Sequence, residues 1–381
     1  MKVLSIVGAR PEFVQAWPIS RVLRERHTEV LVHTGQHYDH AMSQSFFEQL
    51  GLPTPDHSLG IGTGAHGWQT GRMLESLESV IASEQPDVVV VRGDTNSTLA
   101  GALAASKLGV PFAHVEAGER SYVRSEPEEV NRLVADRLAD LHLCASRTAV
   151  KRLAAEGIVG SVHWVGDVML DALQLALPIV EERSDVLAQL GLRTGGYTLV
   201  TIHRAVNTDD PFRLAALVDT LNHINDTIVF PMHPRCRAAL ERSGLSLGPH
   251  VRTLPPMSYL DMLALERSAR LVATDSGGVQ REAFCLGVRC LTFREATEWE
   301  ETLEGGWNTL VGVDSERIRA NWWAETPAST PAQIFGDGRA AYRIVNLLES
   351  MATSALPPVT YESRKGSALA SAAAVQLFER S

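Results

Sequence analysis

The stretch that indicates the fold most directly is Thr274–Ala283, which reads TDSGGVQREA. It follows an apolar run, Arg270–Ala273, with the length of a buried strand, and it leads into a segment compatible with a helix. Two glycines at such a junction predict a tight corner, because glycine lets the backbone turn sharply and lets a ligand approach it closely. A helix that begins there presents unpaired N–H groups and a positive dipole potential.

This corner has two interpretations. In the first, Ser276, Gly277 and Gly278 bind a phosphate or diphosphate, and the carboxylate of Glu282 accepts hydrogen bonds from a ribose. In the second, the corner is purely structural, and an Asp or Ser side chain caps the helix. The ten residues alone fit both interpretations equally well.

On both sides of the corner, short apolar runs alternate with longer amphipathic segments. This alternation is typical of βαβ units and a parallel sheet, and the run Val88–Val91 fits a central strand buried on both faces. The predicted strands are Val3–Gly8, Glu29–Thr34, Asp87–Arg92, Pro111–Glu116, Leu141–Ala145, Val162–Val165, Tyr197–His203, Thr227–Met232, Val251–Leu254, Arg270–Ala273, Cys290–Phe293 and Thr309–Val311.

Two successive sets of such units predict an α/β fold of two doubly wound, Rossmann-like domains that face a cleft. The length of 381 residues is also that of two domains. We expect the first domain at residues 1–168 and the second at 169–363, with a final helix at about 364–381 that packs back on the first.

The composition excludes several classes of partner. A net charge of -10 argues against binding to nucleic acid or to an anionic membrane. The four cysteines show neither metal-site spacing nor a disulfide framework, which favours reduced thiols. The N-terminus does not resemble a signal peptide, and no run has the ~18 apolar residues of a membrane span. We therefore expect a cytoplasmic protein.

Polar motifs follow the first two predicted strands. Gly8–Glu12 combines a turn glycine with Arg10, which predicts a phosphate contact. Gln36 and His37 lie in a turn dense in hydrogen-bonding side chains, and we expect them to bind a polar ligand. Each motif alone would also fit an ordinary solvated turn.

Carboxylates follow the next strands. Asp94, Glu116 and Glu128 come from three segments that the carboxyl ends of parallel strands bring to one edge, which indicates acid–base chemistry. Asp94 alone would equally fit a helix cap. In the second domain, His203 and Arg204 close one predicted strand, and His233 follows another.

A further glycine motif, Gly62–Gly67, matches the pattern GxGxxG. It does not follow a convincing strand, and no acidic strand end comes after it at the spacing of a dinucleotide site. We therefore expect a flexible loop there and not a nicotinamide cofactor site.

Together these segments resemble the non-hydrolysing UDP-N-acetylglucosamine 2-epimerase family, from Met1 to about Leu348. Tyr259–Leu263 and Glu298–Thr302 resemble a branch that includes epimerases of UDP-diacetamido-glucuronate. The segments that carry the resemblance are Gly8–Glu12, Gly35–Asp39, Gly93–Ser97, His114–Ser121, Pro127–Arg132, His203–Arg204, Pro231–Pro234 and Asp275–Ala283.

The resemblance implies a GT-B-like fold, UDP bound mainly by the second domain, and inversion at C2 of a UDP-sugar without metal or redox cofactor. It also implies a homodimer. UDP is eliminated to give a 2-acetamidoglucal and then added back. The implied catalytic residues are Asp94, Glu116, Glu128 and His203. The implied contacts to the substrate are Arg10, Met262 on the uracil side, Ser276, Gly277, Gly278 and Glu282, to which the polar strand ends add Gln36, His37, Arg204 and His233.

Three positions depart from the family pattern. Gln15 stands where the family usually has Lys, Val206 where it usually has Glu, and Glu119 where it has an apolar residue. Two alternatives therefore remain beside epimerisation. One is a hydrolysing epimerase or another GT-B glycosyltransferase, and the other is a UDP-sugar sensor without catalytic activity.

Overall fold

The computed structural model describes residues 1–36, 49–328, 331 and 333–353. The chain forms two compact units. Unit 1 comprises Met1–Ala172 and the chain from Ile334 onward, and unit 2 comprises Leu173–Gln333. His37 and the helix expected at about 364–381 lie outside the described residues.

Unit 1 is built on a parallel sheet. Its described strands are β1 (Lys2–Val7), β2 (Thr28–His33), β3 (His57–Ser58), β4 (Val88–Arg92), β5 (Phe112–Val115), β6 (Leu141–Cys144) and β7 (Val162–Trp164). They run in the order β3-β2-β1-β4-β5-β6-β7. The helices between them are α1 (Arg10–Arg26), α2 (His66–Glu84), α3 (Asn96–Leu108), α4 (Pro127–Leu138) and α5 (Arg147–Ala155).

The chain then passes through α6 (Val168–Arg183) into unit 2, whose described strands are also all parallel. These are β8 (Thr198–Thr201), β9 (Ile228–Pro231), β10 (Val251–Leu254), β11 (Leu271–Thr274), β12 (Cys290–Thr292) and β13 (Asn308–Leu310), in the order β10-β9-β8-β11-β12-β13. The helices are α7 (Val186–Leu190), α8 (Ala205–Thr208), α9 (Pro211–His223), α10 (Pro234–Ser243), α11 (Tyr259–Ser268), α12 (Gly277–Leu286) and α13 (Ser315–Trp322), with a 3₁₀ segment at Glu300–Gly306.

The last described helix, α14 (Ala340–Thr353), belongs to unit 1. Its apolar residues, among them Ile344 and Leu348, pack with Ile19 of α1 and with Val88 and Val90 of β4. The alternate residues of β4 face the other layer of helices, so the strand is buried on both sides as its run of valines predicts.

The expected α/β class with two doubly wound sheets is confirmed. The domain limits differ from the expected ones, because the structure divides the chain at 172/173 and at 333/334. The segment 334–353, which the sequence analysis placed in the second domain, completes the core of unit 1 instead. The amphipathic pattern of a helix shows that it covers a core but does not show which core it covers.

Each sheet reverses its strand order once. In unit 1 the reversal lies between β1 and β4, and in unit 2 between β8 and β11. Ligands of doubly wound folds bind outside the carboxyl ends of the strands at this point. Residues 8–12 and 93–97 therefore mark the candidate position in unit 1, and residues 202–207 and 275–282 mark it in unit 2.

Among the described residues, no helix combines the length and the apolar composition that crossing a bilayer requires.

Candidate functional site

The turn after β1 fits closely against the start of α3. A Cβ on Gly8 would lie 2.1 Å from Ser97 Oγ and 2.3 Å from Thr34 Oγ1, so only glycine fits there. The buried carboxylate of Glu12 accepts hydrogen bonds from the backbone N–H of Gly8 at 2.6 Å and of Ala9 at 2.9 Å. The backbone between β1 and α1 is therefore fixed before any ligand binds.

Glu12 also joins this turn to the one after β4, because the hydroxyl of Thr95 donates to its other oxygen at 2.6 Å. Burial raises the pKa of Glu12. Arg10, the first residue of α1, is partly exposed. The side-chain oxygen of Gln36 accepts from the Ser97 hydroxyl at 2.7 Å, which places this amide at the start of α3.

Asp94 lies directly after the β4 turn, and a buried arginine holds its carboxylate. Arg132 donates from Nε at 3.0 Å and from Nη2 at 2.5 Å to Asp94 Oδ2. The Asp94 side chain is 26% exposed, so a ligand can reach it. Thr95 caps α3, and Asp94 is therefore not needed for the capping role that the sequence left open.

Glu116 follows β5 with a backbone φ of +70°, a conformation that residues other than glycine rarely adopt. Its Oε2 accepts a hydrogen bond from Gln15 Nε2 at 2.7 Å. Its Oε1 lies 3.9 Å from the position of a Cβ on Gly93, the residue before Asp94. Asp94 and Glu116 thus follow adjacent strands, β4 and β5, of the sheet of unit 1.

Glu128 lies in the first turn of α4 and is exposed. The same helix provides Arg132 and also Asn131, whose amide donates to the Asp94 carbonyl at 2.8 Å. The neighbouring Glu129 is buried and accepts hydrogen bonds from the backbone N–H groups of Ser121 and Tyr122. Of these two adjacent acids, only Glu128 is therefore accessible for proton transfer.

A buried charge network supports the Asp94 turn. His114 donates from Nδ1 to Asp136 Oδ1 at 2.7 Å and from Nε2 to the Gly93 carbonyl at 2.8 Å, and Arg120 pairs with the other Asp136 oxygen at 2.7 Å. Burial alone would lower the pKa of His114, but the charge and hydrogen bond of Asp136 and the hydrogen bond to Gly93 together outweigh burial and raise it. Both ring nitrogens donate, as they do only in an imidazolium.

In unit 2, the buried Asp275 after β11 organises the loop after β8. Its carboxylate accepts from the backbone N–H groups of His203 and Arg204, each at 3.0 Å, and from Asn207 Nδ2 at 3.1 Å. Burial would raise the pKa of Asp275, but His203 and these hydrogen bonds outweigh burial and lower it. An ionised Asp275 therefore lies beneath the loop.

The same carboxylate orients the His203 ring, whose Nδ1 lies 3.0 Å from Asp275 Oδ1. The His203 side chain is 39% exposed, so Nε2 remains for a reacting group. A carboxylate on one ring nitrogen fixes the tautomer and makes the other nitrogen a better base. The ring of His233 lies 5.8 Å from that of His203, centroid to centroid, and His233 caps α10.

Arg204 lies beside the start of α12 through a shared acid. Glu298, which is buried, accepts from Arg204 Nη2 at 3.2 Å and from Arg294 Nη1 at 2.6 Å. A Cβ on Gly277 would lie 2.6 Å from Glu298 Oε1 and 3.0 Å from Trp299 Nε1. Glycine at 277 is therefore required by close packing, and the helix terminus lies against the Glu298 carboxylate that the two arginines share.

Ser276 caps α12, since its hydroxyl accepts from the Val279 N–H at 3.4 Å. The nearest atom to a Cβ on Gly278 is Ser276 Oγ at 3.9 Å, so this position is open. The first turn of a ten-residue helix that starts beside Arg204 is suited to a diphosphate. Glu282 lies further along the same helix and is 7% exposed. Met262 on α11 is partly exposed.

Sequence reasoning missed the residues that orient the predicted ones: Arg132 and Asn131 for Asp94, Asp275 for His203, and Glu298 for Arg204. The role of Asp275 could have been inferred from the sequence, because it directly follows β11, the strand that pairs with β8. Arg132 and Glu298 carried none, since their pairs join residues 38 and 94 positions apart along the chain. His37 lies outside the described residues.

Comparisons with known proteins agree with this arrangement. A model of the family described as UDP-N-acetylglucosamine 2-epimerase matches residues 21–349. A Pseudomonas aeruginosa protein named UDP-2,3-diacetamido-2,3-dideoxy-D-glucuronate 2-epimerase is 46% identical over 362 residues, which cover 92% of this chain and all of that protein. A Methanococcus maripaludis protein named UDP-N-acetylglucosamine 2-epimerase homolog is 44% identical over 357 residues, with the same coverage of both.

A solved structure shares the fold. The crystal structure of the Methanocaldococcus jannaschii UDP-GlcNAc 2-epimerase, in complex with UDP-GlcNAc and UDP, superposes with a TM-score of 0.86. It is 40% identical, and the match covers 92% of this chain and all of that one. Sequence likeness and fold thus agree, and this chain belongs to the UDP-N-acetylglucosamine 2-epimerase family.

Proposed function

We propose that this protein is a nucleotide-sugar 2-epimerase that inverts C2 of a UDP-N-acetylhexosamine-type sugar. The observation that carries the proposal is that two carboxylate residues, Asp94 and Glu116, follow the adjacent strands β4 and β5 beside the switch point of unit 1. One is held by an arginine and the other by the Gln15 amide in an uncommon backbone conformation. Two fixed carboxylates with different surroundings suit a reaction that removes a proton and then returns it.

The proposed reaction proceeds by elimination and addition. A carboxylate removes the C2 proton, the electron pair forms the C1–C2 double bond, and the C1–O bond breaks to release UDP. The oxygen of UDP then adds back to C1 of the 2-acetamidoglucal, and a proton is delivered to the opposite face of C2. Asp94, Glu116 and Glu128 are the proposed acid–base groups.

Unit 2 is proposed to hold the nucleotide and stabilise the departing diphosphate. The groups proposed for this role are the N-terminus of α12 and the Arg204 guanidinium, with the His203 ring beside them. Positive groups fixed where negative charge develops lower the barrier to its departure. Arg10 is proposed as a further diphosphate contact, Glu282 as the acceptor for the ribose hydroxyls, and Met262 as the contact to uracil.

A UDP-diacetamido-uronate is a second candidate substrate, and Val206 favours it. Val206 is 53% exposed in the short helix α8, three residues after His203. A valine there adds no negative charge, so a sugar with its own carboxylate is not repelled. The relative at 46% identity bears the name of an epimerase of such a sugar.

Proton exchange tests the reaction directly. The protein is incubated in deuterated water with UDP-N-acetylglucosamine and, separately, with UDP-diacetamido-glucuronate, and NMR follows C2. Deuterium at C2 with the UDP-sugar intact, and no exchange with an Asp94→Asn control, is the expected result. Free UDP and free sugar in stoichiometric amounts would indicate a hydrolysing enzyme instead, and binding without exchange would indicate a sensor.

A cytoplasmic homodimer is part of the same proposal. The family resemblance supports the dimer, and the buried cysteines Cys144, Cys236 and Cys290, none of them in a disulfide, support a reducing compartment. Light scattering on the purified protein measures the assembly, and a monomer mass at micromolar concentration would contradict the dimer.

A further inference from the structure

An asparagine of unit 2 is bonded to the carboxylate that orients His203. Asn207, in the short helix α8, is fully buried. Its Nδ2 donates to Asp275 Oδ2 and to the Phe293 carbonyl, each at 3.1 Å, and its Oδ1 accepts from Arg213 Nε at 3.1 Å. Both hydrogens and the oxygen of the amide are therefore used. Its orientation follows, because a flipped amide would turn its oxygen toward two acceptors.

Arg213, in the first turn of α9, holds the other side of this amide. Its Nε donates to Asn207, while Nη1 and Nη2 donate to the two oxygens of Glu295 at 2.8 and 3.2 Å. A bidentate pair of this kind holds the guanidinium in one plane, so the direction of the Nε–H is fixed as well. An ion pair at the surface thus fixes the buried amide.

The Asp275 carboxylate is filled by this arrangement. A carboxylate offers about four acceptor sites. Oδ1 lies 3.0 Å from both the backbone nitrogen and the ring Nδ1 of His203, and Oδ2 accepts from the Arg204 N–H at 3.0 Å and from Asn207. Loss of the amide would leave one site of a buried anion without a donor, and the carboxylate could then turn away from the ring.

We propose that Asn207 is a positioning residue for His203 and acts through Asp275. The amide keeps the carboxylate in the rotamer in which Oδ1 accepts the Nδ1–H of the ring. A neutral ring with its proton on Nδ1 presents Nε2 as an acceptor, which can take up a proton from a reacting group. The inference rests on the proposed function, since that function gives His203 its catalytic part. The reaction proposed above assigns no role to Asn207.

The tautomer of His203 measures this role directly. In full-length protein labelled with ¹⁵N-histidine, two-bond ¹H–¹⁵N NMR at a pH at which the ring is neutral distinguishes Nδ1–H from Nε2–H rings. The signals of His203 are those that His203→Gln lacks. Wild-type protein should show His203 mainly with its proton on Nδ1.

Asn207→Leu keeps the branched shape of the side chain and removes its hydrogen-bonding groups. The ratio of Nδ1–H to Nε2–H in His203 should fall by about three- to tenfold, the range for the loss of one hydrogen bond. An unchanged ratio in this variant would overturn the positioning role.

A surface variant keeps the proposal testable if Asn207→Leu does not fold. Arg213→Met removes the donor to Asn207 Oδ1, and the same ratio should fall by about twofold or more. Arg267→Met is the matched control, because Arg267 on α11 makes a similar exposed ion pair with Glu181 at 2.6 Å, and this control should keep the wild-type ratio. If Asn207→Leu did not fold, equal ratios in the two arginine variants would overturn the proposal.

Proton exchange at C2 separates this inference from the proposed function. Exchange by the wild-type protein, together with an unchanged tautomer ratio in Asn207→Leu, would leave the proposed function standing and reject the positioning role. A lowered ratio in Asn207→Leu, together with no exchange by the wild-type protein, would support the positioning of His203 and reject the proposed function.

Discussion

Among the described residues other than glycine, Glu116 is one of three with a positive φ, together with Gln85 and Tyr122. A φ of +70° in a glutamate costs on the order of 1–3 kcal/mol, and such strain persists where the surrounding structure holds it in place. The Leu143 carbonyl accepts its N–H at 3.0 Å, and Gln15 donates to its carboxylate. The strained residue places its carboxylate within 2.7 Å of Gln15 Nε2, at the end of β5.

The acid–base assignment predicts the effect of removing each charge. Asp94→Asn, Glu116→Gln and Glu128→Gln should each lower kcat by about 10²–10⁴-fold, the range for general acid–base groups. UDP affinity should change little, because these groups act at C2. Steady-state kinetics and calorimetry measure the two quantities. Near-normal turnover in all three variants would show that the proton-transfer groups lie elsewhere.

Val206 predicts a shift in substrate preference. Because it is exposed beside His203, Val206→Glu should introduce a negative charge without disturbing a core. We expect kcat/KM for the UDP-diacetamido-uronate to fall relative to that for UDP-N-acetylglucosamine, by about tenfold if the charges come within 4 Å of each other in water. An unchanged ratio of the two kcat/KM values would mean that residue 206 does not interact with the sugar.

At the scale of elements, the start of α12 offers a matched pair of glycines. Gly277→Ala forces a Cβ to within 2.6 Å of Glu298, so we expect a loss of about 1–3 kcal/mol in the free energy of unfolding and at least tenfold weaker UDP binding. Gly278→Ala has space, and alanine favours a helix, so stability should be unchanged or higher. Denaturation and calorimetry on both variants provide the comparison, and equal losses of stability would contradict the packing difference.

The network between β5 and α4 predicts a pH dependence of stability. Asp136→Asn should lower the free energy of unfolding by about 3–5 kcal/mol near pH 5.5, because it leaves the buried charge of His114 uncompensated, whereas Arg120 keeps its pair with Glu156. Burial alone would raise the pKa of Asp136, but the charges of His114 and Arg120 outweigh it and lower that pKa below 3.8. The contribution of Asp136 is therefore complete above that value and is lost as the pH falls through the lower folded value.

The pKa of His114 shifts in the other direction. It is raised above 6.5, so the contribution of His114 is complete below 6.5 and is lost as the pH rises through the raised value. The difference in free energy of unfolding between wild type and Asp136→Asn should therefore be largest near pH 5.5 and become smaller at both lower and higher pH. Urea denaturation at about pH 3.5, 5.5 and 9 measures it. If the difference in free energy of unfolding did not change with pH, His114 and Asp136 would not form an ionised pair.

Most strands and helices could be predicted from the sequence, because they are long enough for the spacing of their apolar residues to show a periodic pattern. The run Val88–Val91, for example, predicts the bounds of β4 to within one residue. The strand β3 has only two residues, too few for any period, and it was missed. The GxGxxG stretch Gly62–Gly67 was expected to be a loop, but its last two positions begin α2. The site residues that could be predicted lie at strand ends; their orienting partners come from distant segments and leave no local pattern.

At the scale of the whole molecule, α14 predicts that one unit can be weakened without the other. Leu348 is fully buried in the core of unit 1, so Leu348→Ala should cost about 2–5 kcal/mol there. Hydrogen exchange should quicken in β1, β4 and β5 and remain unchanged in β8 and β11. Equal acceleration in both sheets would show that the two units unfold as one.

The return of the chain to unit 1 at residue 334 also sets an order of events during synthesis. The ribosome makes the sheet of unit 1 first, then all of unit 2, and only then α14. At about 5–20 residues per second, the interval is roughly 8–30 s. For that time the surface that Ile344 and Leu348 will cover, formed by Ile19 and its neighbours, stays exposed on the nascent chain. Unit 2 can close its core in that interval, whereas the core of unit 1 stays incomplete until α14 has been made.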